Sequence, residues 1–366
     1  MNTATYTFPN VDKVPSPALL IYPDRIRNNI RRMVEIAGDP DRLRPHVKTH
    51  KLAEIVRMQM EQGIHKFKCA TLAEAEMLRK EKADDILLAI QPVGPDIAHY
   101  VQLAAQYPES DFSVVVDNGK VIEQLDQACC EQSVKLGVFL DINTGMDRTG
   151  VIPGDAAVEL YQLLHDKPNF VVKGLQAYDG HLHISSVEER TQRCDEAFAK
   201  VIQLVERLKA LGLSVPVIVA GGSPSFPVHA KRAGVELSPG TTLLWDFKSL
   251  DSLKDLPFDC AAFLLTRVIS KPSPGLVCFD LGHKAVASEM PHPRVRLLGL
   301  EDAEFVGHSE EHLVAKVDNW GEIVVGDTYL GIPSHVCPTV ALYDHVNVIE
   351  KNKVVGTWKN AARHRL

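Results

Sequence analysis

The stretch Val217-Ile218-Val219-Ala220-Gly221-Gly222-Ser223-Pro224-Ser225 runs from four apolar residues straight into two glycines and a pair of hydroxyl side chains. An apolar run without polar alternation reads as a strand covered on both faces, the condition of a parallel sheet. Val114-Val115-Val116 reads the same way. Working outward, segments with strand character recur at Leu43–Thr49, Lys66–Ala70, Ile86–Ile90, Phe112–Val116, Leu136–Asn143, Val172–Tyr178, Val217–Ala220 and Glu236–Leu244. Between them the apolar spacing turns helical, as in Leu52, Ile55, Val56 and Gln59, or Ala197, Val201, Leu204, Val205 and Leu208. This alternation extends from about Ala18 to Asp246, with Ala18–Tyr22 leading in. Eight β/α units in roughly 230 residues suit a (β/α)8 barrel of the TIM type. A doubly wound open sheet is the competing architecture.

After Leu250 the pattern changes. Valine-rich, alternating segments such as Val277–Leu281, Arg294–Leu298, Leu313–Val317 and Val346–Ile349 are separated by turns such as Pro272-Ser273-Pro274-Gly275. The reading is a barrel over residues 15–250 and a mostly antiparallel β domain over residues 251–366, joined by residues 1–14. Hydrophobic residues at 45% and charged residues at 24% are what an ordinary globular protein carries. A net charge of −7 and no dense basic run remove any reason to expect nucleic acid. No apolar run approaches the length of about 20 residues that a membrane span needs, and Met1–Pro9 lacks the features of a secretory signal. The seven cysteines, unpaired in spacing apart from Cys129 and Cys130, suggest free thiols and a cytoplasmic location.

A barrel enzyme builds its site where the strands end. Here those ends carry Arg44-Pro45-His46-Val47-Lys48-Thr49-His50, Asp141 to Arg148, Gln176 to His183, Gly221-Gly222-Ser223, and Ser238-Pro239-Gly240-Thr241. Polar and glycine residues converge on one rim, which points to catalysis. Glycines let backbone N–H groups approach an anion and hydroxyls add donors. The turns after the seventh and eighth strands are where barrels bind phosphate, so Gly221-Gly222-Ser223 and Ser238-Pro239-Gly240-Thr241 are expected to bind one. Lys48 reads two ways from position: a rim lysine in a salt bridge, or a partly buried amine made nucleophilic toward an aldehyde. His335 and Cys337, two apart in a segment expected to be extended, point to one side and can chelate one ion such as Zn²⁺.

Arg44-Pro45-His46-Val47-Lys48-Thr49-His50-Lys51 closely resembles the cofactor-lysine motif of the D-threonine aldolase and D-serine dehydratase-like family, within the alanine-racemase-fold enzymes that use pyridoxal 5′-phosphate (PLP). Thr144 to Gly150, Tyr178-Asp179-Gly180-His181, Gly221-Gly222-Ser223-Pro224, His308 to His312 and Pro333 to Thr339 resemble it in the same order. The resemblance implies a PLP-bearing barrel, a C-terminal β domain and a homodimer with active sites near the subunit interface. It makes Lys48 the Schiff-base lysine, Gly222, Ser223, Gly240 and Thr241 the phosphate cradle, and Arg148 the partner of the cofactor's phenolic oxygen, with Tyr178 beside the cofactor. Several relatives carry a tyrosine near the pyridine nitrogen where this chain reads Trp245-Asp246-Phe247, so that nitrogen has no assigned partner.

The resemblance also places a divalent cation (Zn²⁺, Mn²⁺ or Mg²⁺) on His335 and Cys337, and makes His181 the base for the substrate's β-hydroxyl, with His183 turned into the structure. His46, His50 and His312 are read as supporting or surface residues. These roles imply a lyase acting on small D-β-hydroxy-α-amino acids, with retro-aldol cleavage to glycine and an aldehyde as the first reading. Aldolases of this family often carry aspartate where Cys337 stands, which makes a D-serine or 3-hydroxy-D-aspartate dehydratase the alternative. A racemase needs no metal at the hydroxyl, and non-catalytic PLP carriers generally lack a β domain.

Overall fold

The computed structural model of the chain describes Pro9 and residues 11–365. The part of the N-terminal segment expected to join the β domain at residues 1–8 and 10 lies outside the described residues. Two compact units are present. One comprises Arg31–Lys48 and Ala53–Gly240, with His364 and Arg365; the other comprises the described residues up to Ile30, Thr49–Leu52 and Thr241–Arg363.

The first unit is built on seven parallel strands that pair in chain order: β2 (Lys66–Cys69), β3 (Asp85–Leu88), β4 (Asp111–Val116), β5 (Leu136–Asp141), β6 (Phe170–Ala177), β7 (Val217–Ala220) and β8 (Val235–Leu237). The eighth position is filled by an irregular segment rather than the full strand expected over Leu43–Thr49. Leu43 bridges Leu237 and His46 bridges Lys68, both in parallel sense. The Arg44 N–H donates to the Leu237 carbonyl at 2.8 Å, and the Lys68 N–H donates to the Pro45 carbonyl at 2.9 Å. Pro45 has no N–H to offer a ladder, which limits regular pairing here. These bonds join both edges of the sheet, so the ring closes and the open doubly wound alternative is excluded.

Three of the described helices between these strands begin at a side-chain cap, Thr71, Asn118 or Ser186. Thr71 accepts from the Glu74 N–H at 3.2 Å while the Glu74 carboxylate accepts from the Ala70 N–H at 2.6 Å, a capping-box arrangement that starts Leu72–Lys80. Inside the ring, Leu87, Val115, Phe139 and Val219 form an apolar cluster from β3, β4, β5 and β7. Below the rim, Arg44 is buried and ties the closure: it pairs with both oxygens of Asp85 at 2.6 and 2.7 Å and with Glu236 at 2.7 Å. Burial alone would lower its pKa, but the two carboxylates raise it, so the guanidinium stays charged.

The second unit is a nine-stranded sheet. Its strands are β1 (Ala18–Ile21), β9 (Ala262–Ser273), β10 (Leu276–Phe279), β11 (Val295–Leu297), β12 (Glu304–His308), β13 (Leu313–Lys316), β14 (Thr328–Pro333), β15 (His345–Glu350) and β16 (Lys353–Lys359). All pairings are antiparallel except β1 with β15. Ala18–Tyr22, read from sequence as leading into the barrel, lies here instead. All four β1 residues are buried, and β9 and β15 flank them. An apolar run shows that a strand is central, not which sheet holds it. Likewise, the expected eighth strand over Glu236–Leu244 is regular only to Leu237 and ends in a 3-10 turn, Thr241–Leu243.

Candidate active site

A cavity of about 420 Å³ opens among the C-terminal strand ends of the first unit. Lys48 lines it from a 3-10 turn, Val47–Thr49, rather than from the end of a regular strand. The turn is folded locally: the Lys48 N–H donates to His46 Nδ1 at 3.3 Å. His46 is therefore part of the cavity wall and not a surface residue. Tyr178 follows β6, and its ring gathers three cations: Arg148 Cζ at 5.1 Å from the centroid, Lys68 Nζ at 5.4 Å and Lys48 Nζ at 5.9 Å. Arg148 lines the cavity over this ring, as a group meant for a ligand's oxygen would.

The cavity floor holds residues that the sequence reading did not single out as functional. Lys68 from β2, Asp141 from β5 and Gln176 from β6 are all buried and all line it. Burial raises the Asp141 carboxyl to about 6, against the opposing pull of Thr149 and Lys68. Gln176 Oε1 is buried without a hydrogen-bond partner, a polar atom left over for a ligand. The available signal was Lys66-Phe67-Lys68: in a strand, residues two apart share a face, so two lysines there point the same way.

The two turns expected to cradle a phosphate meet each other directly. The Gly240 N–H donates to Ser223 Oγ at 3.1 Å, which joins the turn after β7 to the one after β8. Thr241 follows Gly240 in the chain. A Cβ on Gly222 would lie 3.1 Å from Tyr178 Cε2, so only glycine lets backbone and ring approach this closely. The turn itself is braced: Ser225 Oγ accepts from the Gly222 N–H at 3.0 Å and donates to Asp179 at 2.6 Å. Asp179 also pairs with His229 at 2.9 Å, and the Cys194 thiol lies 3.1 Å from His229. Asp179, Cys194 and His229 bring their ligand atoms within 4.8 Å of one another. However, the Arg232 guanidinium contacts His229 Nδ1 at 2.8 Å, and burial pushes the Cys194 thiol up to about 12. A guanidinium beside a protonated thiol repels a cation, so we read these side chains as the brace of the cradle.

His335 and Cys337 lie in the second unit. Contrary to the extended segment expected from sequence, β14 ends at Pro333 and His335 caps a short helix, Val336–Val340. The two side chains meet nevertheless. Burial would lower the His335 imidazole, but the adjoining Cys337 and Glu289 raise it to about 9. Burial would raise the Cys337 thiol, but His335 and Thr49 hold it below its usual value. His335 Nδ1 faces Glu289 at 2.6 Å, the carboxylate–histidine arrangement that orients the other ring nitrogen toward a metal. Cys337 Sγ lies 3.3 Å from the hydroxyl of Thr49, the residue after Lys48. This donor set suits a divalent cation.

His181 is exposed on the rim, where a Cβ on Gly145 would come within 3.4 Å of its Nε2, and it does not line the cavity. His183, expected to turn inward, is exposed. His50 is fully buried, its Nε2 has no partner, and burial lowers it to about 3. His312 is exposed. At Trp245-Asp246-Phe247, Trp245 is buried and the Asp246 carboxylate accepts from the Ser249 and Val336 N–H groups.

A lysine-lined cavity and two glycine- and hydroxyl-bearing turns at the strand ends of a closed barrel, in a chain that continues into an antiparallel β unit, match the alanine-racemase-fold class of PLP enzymes. The alanine racemase N-terminal domain matches residues 21–246 and the putative serine dehydratase domain matches residues 261–349. The chain belongs to this PLP-dependent family, and its relatives among the D-threonine aldolases and D-threo-3-hydroxyaspartate dehydratases use a divalent metal cation as well. It is 30% identical to a D-threonine aldolase of an Arthrobacter species, over 96% of this chain and 93% of that one. It is 27% identical to the D-threo-3-hydroxyaspartate dehydratase of a Delftia species, over 94% and 96%. The D-threonine aldolase structure from Filomicrobium marinum superposes with a TM-score of 0.90 at 27% identity, covering 98% of both chains. No helix among the described residues is long and apolar enough to cross a membrane.

Proposed function

We propose that this protein is a PLP- and divalent-metal-dependent lyase that cleaves small D-β-hydroxy-α-amino acids to glycine and an aldehyde. The supporting observation is the His335–Cys337 pair, oriented by Glu289 and touching the residue next to Lys48. When bound, PLP withdraws electrons from the substrate's Cα and the cation polarises its β-hydroxyl. Lys48 is the residue whose amine would hold the cofactor covalently. Arg148 and Tyr178 orient the cofactor's ring, and Gly222, Ser223, Gly240 and Thr241 hold its phosphate. His335 and Cys337 hold the cation. His181 takes the β-hydroxyl proton, the role of an imidazole near neutral pH. The resemblance further implies a homodimer.

Dehydration with release of ammonia is the second reading, favoured by a thiolate rather than a carboxylate at position 337. Product analysis separates the two. With D-threonine and added Zn²⁺ or Mn²⁺, cleavage yields glycine and acetaldehyde, and L-threonine is not consumed at a comparable rate. Ammonia and a keto acid from D-threonine or D-serine would establish the second reading instead.

A further inference from the structure

Thr49 stands one residue after Lys48, inside the motif over residues 44–51, and the proposed function gives it no role. It belongs to the same compact unit as His335 and Cys337 and is only 1% exposed. The Cys337 thiol donates to Thr49 Oγ1 at 3.3 Å, and among the described residues that hydroxyl has no other hydrogen-bond partner. A second hydroxyl, Thr241 Oγ1, lies 3.8 Å from the same sulfur. The backbone that carries the pair is fixed by two further bonds. The Val336 N–H donates to Asp246 at 3.2 Å, and the Thr339 hydroxyl donates to the His335 carbonyl at 2.8 Å. Neither bond gives the sulfur a donor, and Pro338, the residue after Cys337, has no N–H to give.

Proton counting then fixes what Thr49 does when a cation binds. Cysteine binds a metal as the thiolate, so the proton that the thiol gives to Thr49 is lost to solvent. The sulfur is then an acceptor only, and a charged acceptor without a donor is costly away from water. His335 Nδ1 is engaged with Glu289, and its other nitrogen is the one left for the cation. A hydroxyl carries one proton and two lone pairs, so it turns from acceptor to donor without moving its oxygen. Thr241 has a single proton too, and the proposed function assigns it to the cofactor's phosphate. We propose that Thr49 is a positioning residue for the cation: its hydroxyl donates to the Cys337 thiolate and holds the sulfur toward the ion. Partners of this kind behind a metal ligand are worth about 10- to 100-fold in metal affinity. Consecutive residues of the motif then serve the cofactor and the cation.

The inference rests on Cys337 being a cation ligand, and cobalt separates the two. The PLP-loaded chain is stripped of metal and given Co²⁺ or Zn²⁺. The difference spectrum of the two forms cancels the PLP absorbance and leaves the sulfur-to-cobalt charge-transfer band. A band missing from the wild type, or one that survives Cys337→Ala, overturns both that reading and the inference. With the band assigned to Cys337, Thr49→Val decides. Losing the donor raises the energy of the sulfur electrons, so the band moves to longer wavelength. The Zn²⁺ dissociation constant, measured by calorimetry, rises about tenfold. Thr49→Ser keeps a hydroxyl and restores both values, whereas Thr241→Val leaves the band in place. Thr49→Ala deletes the same hydroxyl with less bulk and serves if the valine variant misfolds. A structural role alone would lower the melting temperature without moving the band. An unmoved band in a Thr49→Val or Thr49→Ala protein of native near-ultraviolet circular dichroism, or a band moved by Thr241→Val alone, overturns the inference.

Discussion

Arg44 shows how one side chain carries both a motif and a fold. It stands four residues before Lys48, in the stretch whose resemblance pointed to PLP, yet its guanidinium faces Asp85 and Glu236 and holds the ring shut. Both carboxylates are partly buried, at 21% and 12% side-chain exposure, so removing the cation leaves them poorly compensated. Arg44→Met is expected to destabilise the protein by about 3 kcal/mol, the size typical of breaking a buried ion pair by deleting one partner. Urea unfolding followed by circular dichroism checks this, and an unchanged midpoint would show that the ring closes without the pair. Other residues were legible for simpler reasons. Lys48 and Arg148 carry charge where strands end, and charge there asks for an explanation. Lys68, Asp141 and Gln176 were harder to see, because nothing in strands of four, six and eight residues marks which inward position reaches the floor of a cavity.

At the scale of elements, the β/α alternation was read correctly because apolar runs and helical spacing are local properties. Pairing is not local. The sequence gives no means to tell that Ala18–Ile21 joins β9 and β15, since any central strand shows the same four apolar residues. The same limit applies at His335 and Cys337. An extended segment would have put them on one side, and the capped helix that replaces it brings them together by another route. The glycine turn after β7 is expected from sequence to cradle a phosphate, but its brace, which ties Ser225 and His229 of the following short helix to Asp179 after β6, had no sequence signal. Gly222→Ala tests the element directly, because its new methyl would press on Tyr178 at 3.1 Å. The expected result is a PLP dissociation constant raised about tenfold or more, the effect of a displacement worth about 1.4 kcal/mol, with the melting temperature of the cofactor-free chain little changed. An unaltered dissociation constant would remove this turn from the phosphate site.

At the scale of the whole molecule, two units contribute separately recognisable parts. The barrel holds Lys48, Arg148, Tyr178, Gly222, Ser223 and Gly240, while the β unit holds the proposed cation ligands. In the proposed roles both cofactors are needed for turnover, whereas the colour of bound PLP and the fold do not depend on the cation. Thiolate and imidazole must shed their protons to bind a cation, so its affinity falls as pH falls. The most direct measurement is D-threonine turnover by the holoenzyme before and after exhaustive chelation, with the visible absorbance of the bound PLP and the circular dichroism recorded in parallel. Chelation is expected to abolish turnover and leave both spectra intact, Zn²⁺ or Mn²⁺ to restore it, and His335→Ala and Cys337→Ala to match the chelated enzyme while Cys69→Ala does not. Turnover that survives complete removal of the metal, or a cation still bound after both substitutions, would contradict the proposed roles.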